Sequence, residues 1–205
     1  MDHRKRPRRR GAALNEAIFA AVFAEIEDHG YPRLTMERVA ERARASKASL
    51  YRRWPTRVQL VMDAVYHHLR PQRHAFDTGS LRGDLLMALR SAAEMLAGPL
   101  GEAFQGVLSE VLRDKEQAAV VRGWSRGSGV RTMREITDRA AERGEVDSRA
   151  LTPRRLEVGQ ALLRHHFLFH GPDIADDVIV DIVDDVLLPL FRGRAVERGT
   201  GGSHP

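Results

Sequence analysis

Along this chain apolar residues return every three or four positions, the period of amphipathic helices, and capping or turn-forming residues separate the runs. Leu14, Ile18, Ala21, Val22 and Ile26, with Phe19 and Phe23 beside them, predict a helix over residues 14–28, stopped by Gly30 and kept from resuming by Pro32. Met36, Val39, Ala40 and Ala43 predict a short second helix behind the N-cap Thr35, with Glu37, Arg38, Glu41 and Arg42 on its other side. Ser46 is a further N-cap. The third helix it opens has Leu50 and Trp54 on its buried edge and Ala48, Ser49 and Arg52 on the opposite face, bordered by Lys47 and Tyr51 on one side and Arg53 on the other. Arg44 and Ala45 are left between the two, which makes the pair a helix-turn-helix. Thr56 and Gln59 form a capping box stapled by Pro55 and Leu60, and the fourth helix they open, residues 57 to about 70, turns Leu60, Val61, Ala64, Val65 and Leu69 inward before Pro71 closes it.

Residues 72–79 read as a linker, and helical pattern resumes after it. Leu81, Leu85, Leu86, Leu89, Met95 and Leu96 predict a helix ending at Gly98 and Pro99, and Phe104, Val107, Leu108, Val111 and Leu112 predict the next. A longer helical segment over about 115–143 carries Val120, Val121, Trp124, Val130, Met133, Ile136 and Ala140 and stops at Gly144. Gly123, Gly127 and Gly129 weaken its middle by up to ~1 kcal/mol each; they mark a bend or a close approach of another backbone. Thr152 and Pro153 open a helix reaching His170. It is apolar over most of its circumference, through Leu156, Val158, Ala161, Leu162, Leu163, Phe167, Leu168 and Phe169, so it should be buried on several sides. The last helix, residues 173 to about 188, sets Val178, Ile179, Ile182, Val183, Val186 and Leu187 against Asp173, Asp176, Asp177, Asp181, Asp184 and Asp185, the acidic arc reading as a solvated face.

The expected fold is all-α, in two domains: a basic arm (1–10), a helix-turn-helix DNA-binding domain (11–70), a helical ligand-binding and dimerisation domain (80–192), and a Gly-rich tail (193–205) without structure. A length of 205 residues suffices for one sizeable core or two small ones. Absence of cysteine removes disulfides, thiolate metal sites and a Cys nucleophile, and fits a reducing cytoplasm. No window approaches the ~20 apolar residues of a membrane span, and Asn15 and Glu16 interrupt what would be a signal-peptide core.

Charge sharpens the picture. The net charge is +5, and residues 1–10 carry six Lys or Arg against Asp2, so the chain beyond them is neutral in sum. Within it, residues 33–57 hold eight Lys or Arg against two Glu. Basicity gathered in an arm and around a helix-turn-helix is the distribution of a domain that meets nucleic acid. The arm lacks hydrophobic period and is expected to be disordered alone, tracking phosphates or entering the minor groove when DNA is bound. A third helix whose outer face is small and hydroxylic, bordered by cations and a phenol, suits the major groove.

Thr35 through Leu60 resembles the DNA-binding signature of the tetracycline-repressor (TetR) family: Thr opens the second helix, and Ser46, Lys47, Ala48, Ser49, Leu50, Tyr51, Trp54, Pro55 and Arg57 stand where the recognition helix and its exit have those residue types. The resemblance implies that Thr35, Ser49, Tyr51, Arg53 and Arg57 hold phosphates while Lys47, Ala48 and Arg52 face bases; Arg44 and Ser46 complete the DNA-binding set. The family often has Gly in the turn where this chain has Arg44. A left-handed Arg costs about 1 kcal/mol or more relative to Gly, so either the turn differs or Arg44 compensates by contacting a phosphate.

The later helices are similar to the family's regulatory domain, including a break at Arg143, Gly144 and Glu145, and the resemblance implies a homodimer joined by the last two helices. Met95, Phe104, Trp124, Met133, His166 and Phe169 are candidate effector-pocket residues, being large, adaptable or aromatic side chains drawn from several helices. His165, His166 and His170 invite a metal reading, but no carboxylate completes a set at helical spacing. His67, His68 and His74 read as polar surface. There is no phosphate loop, nucleophile elbow or paired carboxylate in an apolar setting, so no cofactor, metal or catalysis is expected. The expected function is a regulator that binds a double-stranded palindromic DNA operator, a repressor released by a small-molecule effector. An architectural DNA-binding dimer without effector, or a histidine-metal hydrolase, are the alternatives.

Overall fold

A computed structural model describes residues 11–68, 76–111 and 128–193, without the side chains at 128, 129 and 150. The basic arm, Trp124, the three central glycines' first two members, His74 and most of the tail lie outside them. Among the described residues every regular element is helical. The elements are α1 (Ala12–His29), α2 (Met36–Arg42), α3 (Lys47–Arg53), α4 (Arg57–His68), α5 (Leu81–Ala97), α6 (Pro99–Val111), α7 (Ser128–Glu142), α8 (Pro153–His170) and a final composite helix. That helix runs through α9 (Asp176–Asp181), a π-helical segment (Ile182–Leu187) and α10 (Leu188–Arg192). Short 3-10 turns sit at Tyr31–Arg33 and Ser148–Ala150.

The described chain gathers into two compact units, residues 11–68 with 95–111, and residues 76–94 with 128–193. In the first, α1 to α4 and α6 share one core. Ile18, Val22 and Ile26 from α1 meet Leu34, Val39, Leu50, Trp54, Leu60 and Val61, and α6 adds Ala103, Val107 and Val111. Phe19 packs edge-on to Trp54 with ring centroids 5.6 Å apart, and the indole Nε1 donates to Asp63 at 2.6 Å, which satisfies the buried donor. His67 and His68 are not merely polar surface: their rings lie against Phe19 and Phe23, at 4.9 and 5.4 Å.

The caps fall where the residue types require them. Thr35 Oγ1 accepts from Arg38 N, Ser46 Oγ from Ser49 N, and Thr56 Oγ1 from Gln59 N, each at 3.2 Å, with Thr56 N donating back to Gln59 Oε1 at 3.3 Å. Between α1 and α2 lies an ionic bracket. Glu25, only 4% exposed, accepts from Arg38 Nε at 2.7 Å and Arg42 Nε at 2.5 Å. Burial works to raise the Glu25 pKa, but the two guanidiniums outweigh it and hold the carboxyl below its ordinary range.

In the second unit the start of α5 is clamped from two sides. Asp84, fully buried, accepts from Thr78 N and Oγ1 at 2.6 and 2.8 Å and from Arg143 at 3.2 Å. Glu145 accepts from Leu81 N at 2.9 Å and Arg143 Nε at 2.7 Å. The turn carrying Arg143 and Glu145 is made possible by Gly144, whose φ is +78°. On α8, Gly159 faces Leu187, and a Cβ there would lie 2.8 Å from Leu187 Cδ1.

The final helix begins at Asp176 rather than 173 and departs from expectation in three further ways. It continues to Arg192 rather than ending near 188, because the π segment, closed by Leu188 N bonding to Val183 O, lets the helix pass Pro189. That wide turn rotates the apolar face: Leu188 and Phe191 are buried and Val186 is exposed. The acidic arc is not wholly solvated either. Arg82 grips Asp184 through Nε and Nη2 at 2.7 and 2.8 Å, and Arg90 grips Asp176 likewise at 2.6 and 2.8 Å.

Candidate nucleic-acid interface

α3 is fastened to the first unit at both ends and along its inner edge, which leaves its outer face free and fixed. Leu50 and Trp54 anchor it in the core, and Ser46 caps its start. Arg53 Nη1 donates to Asn15 Oδ1 on α1 at 2.8 Å. Lys47, Ala48, Tyr51 and Arg52 are exposed, as are Thr35, Arg44 and Ser46, while Ser49, Arg53 and Arg57 are half-buried. The exposed residues offer cations, hydroxyls and one small apolar side chain, a suitable complement to phosphates and base edges.

The turn adopts the left-handed geometry. Arg44 has φ +53° and is the one non-glycine residue with positive φ among the described residues. Arg44 N bonds to Glu41 O at 3.0 Å and Ala45 N to Ala40 O at 2.8 Å, the paired bonds of a Schellman motif. The same motif closes α7, with Gly144 at the left-handed position. Of the two possibilities raised by Arg44, a different turn geometry is therefore set aside, and Arg44 accepts the conformational cost with its side chain exposed.

Arg57 is occupied by protein. Its Nη1 donates to Leu34 O at 3.0 Å, its Nη2 to Glu110 at 2.7 Å, and its Cζ lies 4.8 Å from the centroid of the Tyr31 ring. In this arrangement the Arg57 guanidinium is held by α6 and the segment around the 3-10 turn. Around it α6 forms a latch. Glu102 accepts from Tyr31 N at 2.7 Å, Glu110 accepts from Tyr31 Oη at 2.8 Å, and Gly106 between them lies flat against the Tyr31 ring, where a Cβ would come within 2.1 Å. Burial first, and the Glu110 carboxylate second, push the Tyr31 phenol well above its ordinary range.

Glu37, on the first turn of α2, reaches the border of α3. Its Oε1 accepts from Tyr51 Oη at 3.2 Å and lies 3.9 Å from Lys47 Nζ. Partial desolvation, then the hydrogen bond to Glu37, raise the Tyr51 pKa. Sequence reasoning missed Glu37, Asn15, Asp63, Glu102 and Glu110. The four-residue spacing of Glu102, Gly106 and Glu110 on one helix face was a visible signal; the partner it meets, 71 to 79 residues away, was not.

The candidate effector residues divide between the units. Met95 packs against the first core, and Phe104 belongs to the same unit, half-buried. Met133 is fully buried in the second. His166 stacks on His170 with centroids 4.8 Å apart, and Phe169, 72% exposed, stacks on His165 at 4.8 Å. No group of three metal-ligating side chains occurs among the described residues, nor a helix long and apolar enough to cross a membrane.

A helix-turn-helix with an exposed cationic second helix, carried on an all-helical frame, defines a DNA-binding regulator. Comparison with known proteins gives the same class. Residues 18–64 match the family model for bacterial regulatory proteins of the tetR family, and residues 75–186 match the tetracyclin repressor-like C-terminal domain. A DNA-binding transcriptional repressor TetR from Mycobacteroides abscessus is 31% identical over 91% of this chain and 98% of its own. An uncharacterised HTH-type transcriptional regulator from Mycobacterium tuberculosis is 30% identical over 90% of this chain and 88% of its own. The crystal structure of the TetR family transcription regulator SCO0332 superposes with a TM-score of 0.71 at 24% identity, covering 85% of this chain and 96% of that one. The chain belongs to the TetR family of transcriptional regulators.

Proposed function

We propose that this regulator is a homodimeric, non-enzymatic cytoplasmic repressor that grips a palindromic operator and is released from it by a small molecule. The observation that carries the reading is the outer face of α3, whose Lys47, Ala48, Tyr51 and Arg52 stand exposed on a helix capped and anchored so that it cannot reorient by itself. Lys47, Ala48 and Arg52 meet base edges; Thr35, Ser49, Tyr51, Arg53 and the exposed Arg44 meet the backbone, with Ser46 setting where the helix begins.

Dimerisation through the last two helices is supported by apolar surface there. Leu168 and Phe169 on α8 and Val186 on the final helix are exposed although large and apolar, and a second copy is the economical cover for a self-complementary face. The repressor direction draws on the M. abscessus relative, which is named a repressor. Release by an effector needs a ligand that binds unequally to DNA-competent and DNA-incompetent states. The α6 latch supports a route for it, because displacing α6 frees Tyr31 and Arg57 together.

Selection of bound duplexes from a randomised pool, followed by titration against salt, tests the reading. The expected product is an inverted repeat with half-site centres about one helical turn, or a multiple of one, apart. Failure to prefer any duplex over random competitor, at any salt concentration, overturns it.

A further inference from the structure

Among the cationic side chains around α3, Lys47 faces a carboxylate that no DNA contact requires. Glu37 brings one oxygen to 3.2 Å from the Tyr51 hydroxyl and 3.9 Å from the Lys47 ammonium. All three side chains are substantially exposed, at 45% for Glu37 and 65% for Lys47, so the contact is not a burial requirement of the fold. We infer that Glu37 is a specificity-determining positioning residue, whose carboxylate keeps Lys47 directed into the groove and off the phosphates of unmatched DNA.

This role for Glu37 rests on the DNA-binding reading above and on what a lysine does unrestrained. Its ammonium is a compact point charge on a flexible stem, satisfied by any phosphate. At the border of a recognition helix such a group adds a sequence-blind contact, each one steepening the logarithmic salt dependence of binding by about 0.9. In a helix-turn-helix the first helix crosses the backbone while the second enters the groove, so a carboxylate on the first turn of α2 stands between Lys47 and the nearest strand. In the free protein Tyr51 gives its single hydroxyl proton to Glu37 and directs the carboxylate; on DNA that proton turns to a phosphate, and Lys47 remains the partner of Glu37. Lys47 has three donors. It can therefore share its ammonium between Glu37 and an acceptor pair on a base edge within the groove, whereas reaching outward to a phosphate means leaving Glu37. Matched DNA keeps the pair, and unmatched DNA must break it. Exposed pairs of this kind shift equilibria by about two- to fivefold, enough to matter where competing sites are abundant.

The test compares the full-length protein with Glu37→Gln, which retains size and one acceptor. Binding is followed by fluorescence anisotropy across a salt series. The probes are a mixed-sequence duplex of about 30 base pairs, long enough for two half-sites, and a duplex enriched from a randomised pool. The expected result for Glu37→Gln is binding to the mixed-sequence duplex about two- to fivefold tighter, with a salt slope steeper by about one. The enriched duplex changes less than about twofold, so discrimination falls. In a Lys47→Ala background, Glu37→Gln should leave the slope unmoved. The inference is overturned if affinity and slope do not change, or if the gain persists without Lys47, which would make Glu37 a general repulsive charge. A loss confined to enriched duplexes with cytosine at one position would overturn it too, as direct base reading. Wild-type protein that prefers no duplex would bring down the DNA-binding reading itself; wild-type preference with an indifferent Glu37→Gln variant brings down only this inference.

Discussion

Arg44 shows how a single residue can work against the backbone it occupies. At φ +53° it holds the left-handed position that Gly144 fills in the equivalent motif after α7, at a cost of about 1 kcal/mol relative to glycine. Arg44→Gly is therefore expected to stabilise the chain by about 0.5–1 kcal/mol, read as an increased midpoint in urea unfolding. If the guanidinium offsets its strain on a phosphate, the same variant should lose about one contact from the salt slope of DNA binding. Arg57 carries the opposite forecast. Because it donates to Leu34 O and Glu110, Arg57→Ala should cost about 1–3 kcal/mol of stability by removing the donor to Leu34 O and the cation beside Glu110, which keeps only the Tyr31 hydroxyl. Binding to all duplexes should weaken with it, and the unfolding curve separates this from a simple lost phosphate contact.

Among the elements, α6 closes the first unit by packing on both α1 and α4. Gly106 admits the Tyr31 ring so closely that Gly106→Ala must push α6 or the 3-10 turn aside; a loss of about 1–3 kcal/mol is expected. The α1 to α2 bracket sets a pH dependence. Glu25 has its carboxyl pKa lowered from the ordinary 4.5, so the unfolded chain binds the proton more readily. The stability this confers is present in full above the ordinary value and disappears as pH falls through the lower folded one; Glu145 behaves alike. Thermal midpoints measured from pH 7 down to about 3 should fall on the acid side, and less steeply in Glu25→Gln.

These elements also show what the chain disclosed before its structure was known. Helix starts at Thr35, Ser46, Thr56 and Thr152 are legible because a cap oxygen and the N–H that donates to it lie three residues apart. The same holds for α8, from Pro153 to His170, and for the inward sides of α1 to α4. What escaped were interactions whose halves are distant in sequence. Arg38 and Arg42 looked solvent-facing because Glu25 lies on another helix, and Arg57 looked available because Glu110 is 53 residues away. A regular period of 3.6 cannot announce the π segment: it turns Val186 inward and stops short of the buried Phe191.

At the scale of the whole molecule, Leu168 and Phe169 leave apolar surface of α8 uncovered in the single chain. If a second copy covers it, Phe169→Glu should place a charge within the shared apolar face and yield a monomer by sedimentation velocity at micromolar concentration. A far-ultraviolet spectrum unchanged from wild type is expected, since the side chain is 72% exposed in the single chain. Operator affinity should fall steeply with it, because each half-site would then be bound alone without a tethered neighbour.

The π segment before Pro189 leaves the carboxy-terminal helix one residue richer than an ordinary α-turn would be. That surplus works as a spacer. Excising Val186 alone would close the wide turn into an ordinary α-turn and set Leu187, Leu188 and Phe191 seven, eight and eleven residues after Ile179, the inward spacing of a regular helix, but it would drive the proline ring into the carbonyl of the turn above. A shortened chain would thus keep its inner lining and forfeit its last turn.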